Sequence, residues 1–547
     1  MIGWCARRAA PMGISVFYAL FIMRWALPAQ EFPSSTEMFR IAAVEYASGG
    51  RTKEFALANY INIETGLEFD SIQKLENFIQ QKKQHLLNNR IFADSNIEYT
   101  VGELKNSIYP VYIHVSTTDT RNFLIVPYPK YDSNTGFLFR LRAWDKNAFG
   151  AMNLLEADIG YTYTRENPAD DFRHSLLFAL DTIYPFSAWG LLWNVDIYNK
   201  STWTFGAEHP FVLNNALGIS VNLPLGRTIL KPGFRESIVI TAKNELPEID
   251  YDDMKFTGDK RISKHDYMNG ISGLLLDEWY MASRPYLQWT IPISFKSFAN
   301  ADILYETNIS GLFIYTPGAS VSDAHKGANI EFSQRLGFAA VNWLNNFRSG
   351  AYMYIQNDII YNFEYHDFNA SVSLAAAAYK KIADFFGMSA RLRYKHWFGT
   401  DSMWTMQSAA EAGAAVRGIR DRSLFANSLL AFNFDFPFRL FVFIPSAWFN
   451  TRKLRYFNFE LHFSPFVDTA FVNGTQFNKK YVPLKNMVFS FDDMAAGAGF
   501  ALHFYPLEWR SLFLRFSFAV NMLELFRTGD IFGGDGPEIF FGIGHYY

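Results

Sequence analysis

The feature that most constrains this chain is a two-residue alternation that recurs along most of its length. Its clearest stretch runs from Leu454 to Val472. Asn458, Glu460, His462, Ser464 and Asp468 share one parity there, while Phe457, Phe459, Leu461, Phe463, Pro465, Val467 and Phe471 share the other. Successive side chains of a strand point to opposite faces, so the segment reads as a strand with one polar and one apolar face. Ser511 to Leu523 repeats the pattern, with Leu512, Leu514, Phe516, Phe518, Val520 and Met522 set against Arg515, Ser517 and Asn521. Phe432, Phe434, Phe436 and Phe438 alternate with Asn433, Asp435 and Arg439 in a third stretch. A soluble sandwich also alternates, with its apolar faces inward. Here the apolar faces are long and aromatic, the opposite faces carry charges, and the pattern runs from near Phe137 to the end of the chain. Such a pattern fits a barrel whose apolar face meets lipid and whose polar face lines an aqueous interior.

Composition agrees. Aromatic residues make up 18% of the 547, with 55 Phe and 29 Tyr, yet the mean hydropathy is only -0.04. Beyond the N-terminus no run reaches the roughly 18 apolar residues that a spanning helix needs. The apolar-rich stretch from Phe432 to Trp448 is broken by Asn433, Asp435, Pro437, Arg439 and Pro445. A membrane form must therefore be a closed barrel, because each backbone polar group needs a partner in hydrocarbon. At about 25 residues per strand and connection the region holds roughly 16 antiparallel strands. Polar residues 244–268 read as a surface loop.

The first residues read as a secretory signal. Arg7 and Arg8 precede an apolar run from Ile14 to Met23, and Ala26, Leu27, Pro28 and Ala29 offer a small-residue exit, so a leader is expected over 1–29. Residues 37–118 have a different character. Phe39 to Tyr46 reads as a strand and Thr52 to Ile61 as a short helix. A second helix is capped by Asp70 or Ser71 and carries Ile72, Leu75, Ile79 and Leu86 or Leu87 at helical spacing. Two strands follow, Ser95 to Val101 and Tyr109 to Ser116. That order, β-α-α-β-β, describes a small α+β domain. The barrel is expected over 135–547.

Several functions find no support. Net charge is -3, and no long basic stretch offers a nucleic acid its phosphate contacts. The one cysteine, Cys5, lies in the expected leader, which leaves no disulfide or thiolate metal site. Phosphate-loop, HExxH and GxSxG patterns are absent. The eleven histidines are scattered, and His462 sits on a polar strand face as a lumen residue. Neither catalysis nor a cofactor or metal is expected.

Four motifs in order carry a resemblance. Asp145-Lys146-Asn147-Ala148-Phe149-Gly150 resembles the DxNxFG that opens the barrel of the BamA/TamA outer-membrane assembly-factor superfamily, which includes surface-antigen barrels and two-partner secretion transporters. Ala415-Val416-Arg417-Gly418-Ile419 resembles its VRG(F/Y) motif, and Phe466-Val467-Asp468-Thr469-Ala470 its FxDxG strand. Phe541-Gly542-Ile543-Gly544-His545-Tyr546-Tyr547 resembles its aromatic-ending last strand. The α+β region, with Thr52-Lys53-Glu54, Gly66 and Leu87-Asn88-Asn89-Arg90-Ile91-Phe92, is similar to one POTRA domain. Ile419 stands where the family has an aromatic, and Ala470 where it has glycine.

The resemblance implies that a loop bearing Arg417 folds into the barrel and meets Asp468. Asp468 shares the polar parity, so it points into the lumen, where a carboxylate needs a cation and a guanidinium can supply two parallel bonds. Gly418 lets the loop backbone come close. On the residues alone, Arg417 could equally lie in solvent on an outer loop. The resemblance further implies that the last strand, with Phe541, Gly542, Ile543, Gly544 and Tyr547, meets a first strand near Phe137 to Asp145 at a weak seam. Glycines 542 and 544 weaken that strand, although its aromatics could also be a plain interfacial girdle. The implied role is insertion of barrel proteins into the bacterial outer membrane, the α+β domain lying in the periplasm. Its partners would be the lipid bilayer, unfolded outer-membrane or secreted clients, and periplasmic accessory proteins. A polypeptide-secretion transporter is the alternative, and a passive channel ranks last.

Overall fold

The computed structural model describes residues 38–104, 107–120, 122–132, 136–164, 173–207, 210–240, 278–293, 302–321, 326–398, 410–411, 415–419, 425–426, 428–473, 494–508, 513–531 and 537–543. The leader expected over 1–29, the loop expected over 244–268, and Gly544 and Tyr547 lie outside these residues.

The N-terminal elements are β1 (Met38–Ser48), α1 (Glu54–Ile61), β2 (Glu68–Phe69), α2 (Ile72–Asn88), β3 (Phe92–Val101) and β4 (Ile108–Asp119). The expected order is present, with the two-residue β2 added, and the sheet runs β2-β1-β4-β3. Helix α1 starts at Glu54 rather than Thr52, because Asp119 holds Thr52 in the preceding loop. The Thr52 amide donates to Asp119 Oδ2 at 3.0 Å and its hydroxyl to Oδ1 at 2.6 Å. In α2 the apolar stripe consists of Leu75, Ile79 and Leu86, all buried, whereas Ile72 and Leu87 are exposed.

The chain forms two compact units, one of residues 1–43, 64–78 and 99–113, the other of 44–63, 79–98 and 114–547. In the first, Phe39 and Arg40 pair with Phe69 and Glu68, Arg40 and Glu68 form an ion pair, and Phe39 stacks on Tyr109 at 5.3 Å.

The second unit contains the barrel. Its strands begin with β5 (Phe123–Asp132), β6 (Gly136–Ala148), β7 (Asn153–Thr164), β8 (Arg173–Ala188), β9 (Leu191–Thr204) and β10 (Phe211–Leu225). They continue with β11 (Thr228–Ile240), β12 (Trp279–Ile293), β13 (Asp302–Tyr315), β14 (Asn329–Leu344), β15 (Phe347–Asn362), β16 (Asp367–Ala383) and β17 (Phe386–Trp397). A separate small pair, β18 (Ala410–Glu411) and β19 (Phe425–Ala426), comes next. The wall ends with β20 (Ser428–Asp435), β21 (Phe438–Phe443), β22 (Phe459–Asn473), β23 (Met494–Pro506), β24 (Leu514–Asn521) and β25 (Glu538–Ile543). Every strand pairs with its neighbours, and β25 returns to β5, so the sheet closes. Segments β20 and β21 both pair with β17 and β22, with Pro437 between them. They share one position, so the nineteen segments of the described wall fill eighteen positions, an even number as antiparallel closure requires.

Two expectations are corrected here. Eighteen positions replace about 16, because connections such as Trp189–Gly190, with φ of 53° and 72°, are tight hairpin turns that spend few residues. The barrel also begins at Phe123 rather than 135, with β5 ahead of the strand expected near Phe137 to Asp145. Pro127 and Pro129 break the strand signal of β5, since proline cannot donate to a ladder.

The alternation divides the two sides of the wall. On β6, Phe137, Phe139 and Leu141 are exposed on the exterior. Arg140 and Arg142 have the opposite parity and reach buried Asp158, with Arg142 donating from Nε and Nη2 at 2.6 Å each. On β10, Leu217 and Ile219 face out between buried Ala216 and Ser220. A closed ladder with an apolar exterior and charges within is a transmembrane antiparallel barrel. Leu217→Arg, mid-strand on the exterior, is expected to cost about 2–4 kcal/mol in a denaturant titration of the lipid-inserted chain; a negligible cost would show that this face does not meet lipid.

Candidate functional site: a lumen lock, a turn joint and a narrow seam

Asp468 lies near the middle of β22, directly opposite Asn433 on β20 and Gly497 on β23. It is completely buried, and Arg417 is 4% exposed. The Arg417 Nε donates to Asp468 Oδ2 at 2.7 Å, its Nη2 to Oδ1 at 2.8 Å, and its backbone N–H to Oδ2 at 3.0 Å. The expected fork is therefore present, and Arg417 is not in solvent. Its remaining Nη1 donates to Asp435 Oδ1 at 2.7 Å, and its guanidinium lies 3.5 Å from the centre of the Phe466 ring. Two carboxylates and a π-face thus surround one cation, an arrangement suited to the flat guanidinium and poorly matched by an ammonium.

The loop backbone is held as well. Gly418 has φ +94°, and a Cβ there would meet the Val520 carbonyl oxygen at 2.5 Å, so glycine is required. Its N–H donates to Glu538 Oε2 on β25 at 2.7 Å, and Asn433 Nδ2 donates to the Ala415 carbonyl at 2.9 Å. Beneath the loop the inner wall is built from small residues. Ala431, Ala470, Ala495 and Leu429 pack with Ala415, Val416 and Ile419 in one buried cluster. At Gly497 a Cβ would stand 1.7 Å from the Arg417 carbonyl oxygen, so no side chain fits. Ile419 and Ala470, the two departures from the family pattern, meet in this cluster, each fully enclosed. The expectation assigned no part in the lock to Asp435, Phe466, Gly497 or Glu538. The signal available for Phe466 was an aromatic on the polar parity of its strand.

A second constellation involves Asp145, Asn147 and Gly150. Rather than opening the barrel, these residues close its first hairpin partner, at the end of β6 and in the turn to β7. Asp145 Oδ2 accepts from Arg51 Nη2 at 2.6 Å, and Oδ1 accepts from the Asn147 N–H at 3.0 Å. Asn147 Nδ2 donates to Thr52 Oγ1 at 2.7 Å and to Asp119 Oδ2 at 3.1 Å, while its Oδ1 accepts from the Met152 N–H at 2.9 Å. Gly150 has φ +71°, and its carbonyl accepts from the Lys53 N–H at 2.8 Å. A Cβ on Gly150 would meet the Arg51 carbonyl oxygen at 2.1 Å. The motif is a joint that grips residues 51–53. A similar grip lies at the β14–β15 turn, where Asn88 Nδ2 donates to Asn342 Oδ1 and Arg90 Nη2 to Asn346 Oδ1, both at 2.9 Å.

The last strand departs from expectation in its partner. Phe541, Gly542 and Ile543 lie in β25, which meets β5 and not the stretch from Phe137 to Asp145. Among the described residues β25 pairs with β24 through six positions, Glu538 to Ile543, but with β5 through only two, Phe540↔Asp132 and Phe541↔Tyr131. By contrast β5 pairs with β6 along its full ten residues. The last strand therefore closes the barrel on β5, one strand earlier than the stretch from Phe137 to Asp145. Arg515 on β24 is 2% exposed and sits 4.0 Å from the Phe540 ring centre, holding the other flank of β25.

No family model matches the chain, and no curated protein does. Similar solved structures include CdiB from Acinetobacter baumannii, at 12% identity and a TM-score of 0.45, covering 93% of this chain and 74% of that one. BamA from Haemophilus ducreyi lacking POTRA domains 1–3 follows at 13% identity and 0.40, covering 92% and 84%. CdiB from Escherichia coli stands at 9% identity and 0.42, covering 97% of each. The closed ladder itself shows the barrel fold.

Arg417→Ala leaves Asp468 buried without its cation and is expected to cost about 3–5 kcal/mol of unfolding free energy, with Arg417→Lys recovering little of it. A double-mutant cycle with Asp468→Asn checks this, since additive losses would mean the pair is not coupled. Asn147→Ala is expected to cost about 1–3 kcal/mol and to speed hydrogen exchange at residues 51–53; unchanged exchange there would show that the joint is not held by this side chain.

Proposed function

We propose that the chain is a bacterial outer-membrane assembly factor that inserts client barrel proteins by adding their strands at the seam between β5 and β25, and that it acts without catalytic chemistry. The observation that supports this reading is that the last strand, β25, closes the barrel on the first, β5, with two paired positions among the described residues against six with β24. A strand edge with open backbone groups recruits another strand by hydrogen bonding. Partners would be the lipid bilayer, unfolded outer-membrane clients and, at the α+β sheet in the periplasm, accessory proteins. The edge strand β3 offers that sheet a second pairing site.

The alternative is a transporter that passes a secreted polypeptide along the lumen. The bound Arg417 loop supports the lateral route over this axial one. It lies in the barrel interior behind charge-assisted bonds that must all break before a chain could use that space. The passive-channel reading is weaker still, because a buried lock and a gripped N-terminal loop serve no purpose in a simple pore.

Depletion followed by quantitative proteomics of the outer membrane tests the proposal. Broad loss of barrel proteins is the expected result. Loss of one secreted protein alone would transfer the role to transport. The seam itself is tested with Asp132→Cys and Phe540→Cys, directly opposed residues within reach of a disulfide. Oxidation is expected to abolish assembly and reduction to restore it; full function of the oxidised form would rule the seam out.

A further inference from the structure

The connection between β21 and β22 is built differently from its neighbours on the same rim of the barrel. Strands alternate in direction, so it shares that rim with the β6–β7 turn that grips residues 51–53 and with the β14–β15 turn. The other connections of this rim whose residues are all described, 149–152, 189–190, 226–227, 345–346 and 384–385, are two to four residues long. This one runs over 444–458 and folds into α3 (Pro445–Trp448) and a 3-10 helix (Arg452–Phe457). Its ends are tied together. Asn458 Nδ2 donates to Ser446 Oγ at 2.8 Å, and Asn458 Oδ1 accepts from the Ser446 N–H at 3.3 Å. The Leu507 N–H donates to the Asn458 carbonyl at 2.9 Å, which fastens the turn to the next connection. The turn is thus a fixed structure, yet its large apolar side chains point away from the protein. Trp448, Phe449 and Phe457 are 65%, 68% and 64% exposed. A contiguous apolar patch on a fixed surface marks a place of interaction.

Continuity with the wall and charge decide what meets this patch. Phe443 on β21 packs edge-on against Trp448 at 5.0 Å and lies 5.1 Å from Phe459, which lies 4.3 Å from Phe504 on β23. Phe443, Phe459 and Phe504 belong to the exterior parity, opposite to that of Glu460 and His462. The aromatic surface therefore passes from the lipid-facing wall onto the turn without a break. The same turn carries Arg452, Lys453 and Arg455 and no carboxylate. Arg455 Nε pairs with Glu508 Oε2 at 3.5 Å, and its guanidinium lies 5.1 Å from the Tyr456 ring centre. Lys453 is exposed. One acidic group thus stands against three basic ones, and the patch is positive. Rings beside cations at the end of a spanning strand have the make-up of an interfacial segment, in which the rings sit at headgroup level and the cations reach anionic headgroups. An acidic soluble protein would match the charge but not the continuity with the lipid-facing surface. We propose that the 444–458 turn is a membrane-surface foot that binds an anionic phospholipid in the leaflet on this rim. Trp448, Phe449 and Phe457 enter the acyl boundary, Lys453 meets the phosphate, and Arg452 adds its charge. An aromatic girdle alone needs only rings at strand ends and selects no headgroup. The inference is independent of what the barrel assembles or transports.

The test uses the full chain in nanodiscs made of equal parts phosphatidylcholine and phosphatidylglycerol. A photoreactive residue replaces Phe449 in the turn or, in a separate sample, Leu217 in the middle of the wall, and lipid adducts are read by mass spectrometry. At 449, capture of phosphatidylglycerol is expected to exceed capture of phosphatidylcholine by at least about fivefold, the effect of one basic side chain at an anionic surface. At 217 the two lipids are expected to be captured alike. With Arg452→Gln and Lys453→Gln together, the preference at 449 is expected to fall to near parity. Equal capture of the two lipids at 449 in the unsubstituted turn overturns the proposal, and so does a preference that survives the double substitution. Lipid adducts at 217 with none at 449 overturn it as well and leave the face to a soluble partner. The unsubstituted turn decides the matter by itself, so a failure of the double variant to insert does not hide the answer.

Discussion

Every backbone N–H and carbonyl in the hydrocarbon layer has to find a partner within the protein, and that requirement shapes this wall from end to end. It explains why eighteen strand positions close on themselves and why neighbouring strands share ladders along most of their length. In a soluble sheet, water would satisfy a frayed edge. In a bilayer the same fraying leaves polar groups in hydrocarbon, so the return of β25 to β5 is the closure on which the rest of the ring depends.

The lumen lock serves the same wall from inside. Asp468 is fully enclosed, and a carboxylate in that setting is tolerable only with strong compensation. Arg417 supplies it with three bonds and passes a fourth to Asp435, while Phe466 covers the face of the guanidinium. The loop therefore ties β20, β22 and, through Glu538, β25 to one internal fixture. The last strand is thus held from within as well as by its neighbours in the wall, β24 and β5.

Much of this was legible in the residues. Parity placed Asp468 in the lumen, the motif order pointed to Arg417, and helical spacing marked Leu75, Ile79 and Leu86. Other parts were hidden for physical reasons. The strand Phe123–Asp132 carries two prolines, which argue against a strand unless its edge is known. Gly497 is needed only because the Arg417 loop, distant in sequence, lays its carbonyl there, and no local pattern encodes that. Asn147 finds Thr52 across 95 residues, a contact that neither segment announces alone. Asp435 was readable as a lumen residue, but its share in the lock depends on pairing between β20 and β22.

The joint at Asp145, Asn147 and Gly150 has a mechanical consequence. The turn it occupies terminates β6, and β6 is the full-length partner of β5. A pull exerted on residues 51–53 thus enters the wall one strand from the line where β25 closes on β5, rather than being spread around the circumference. The chain has placed its handle beside its closure.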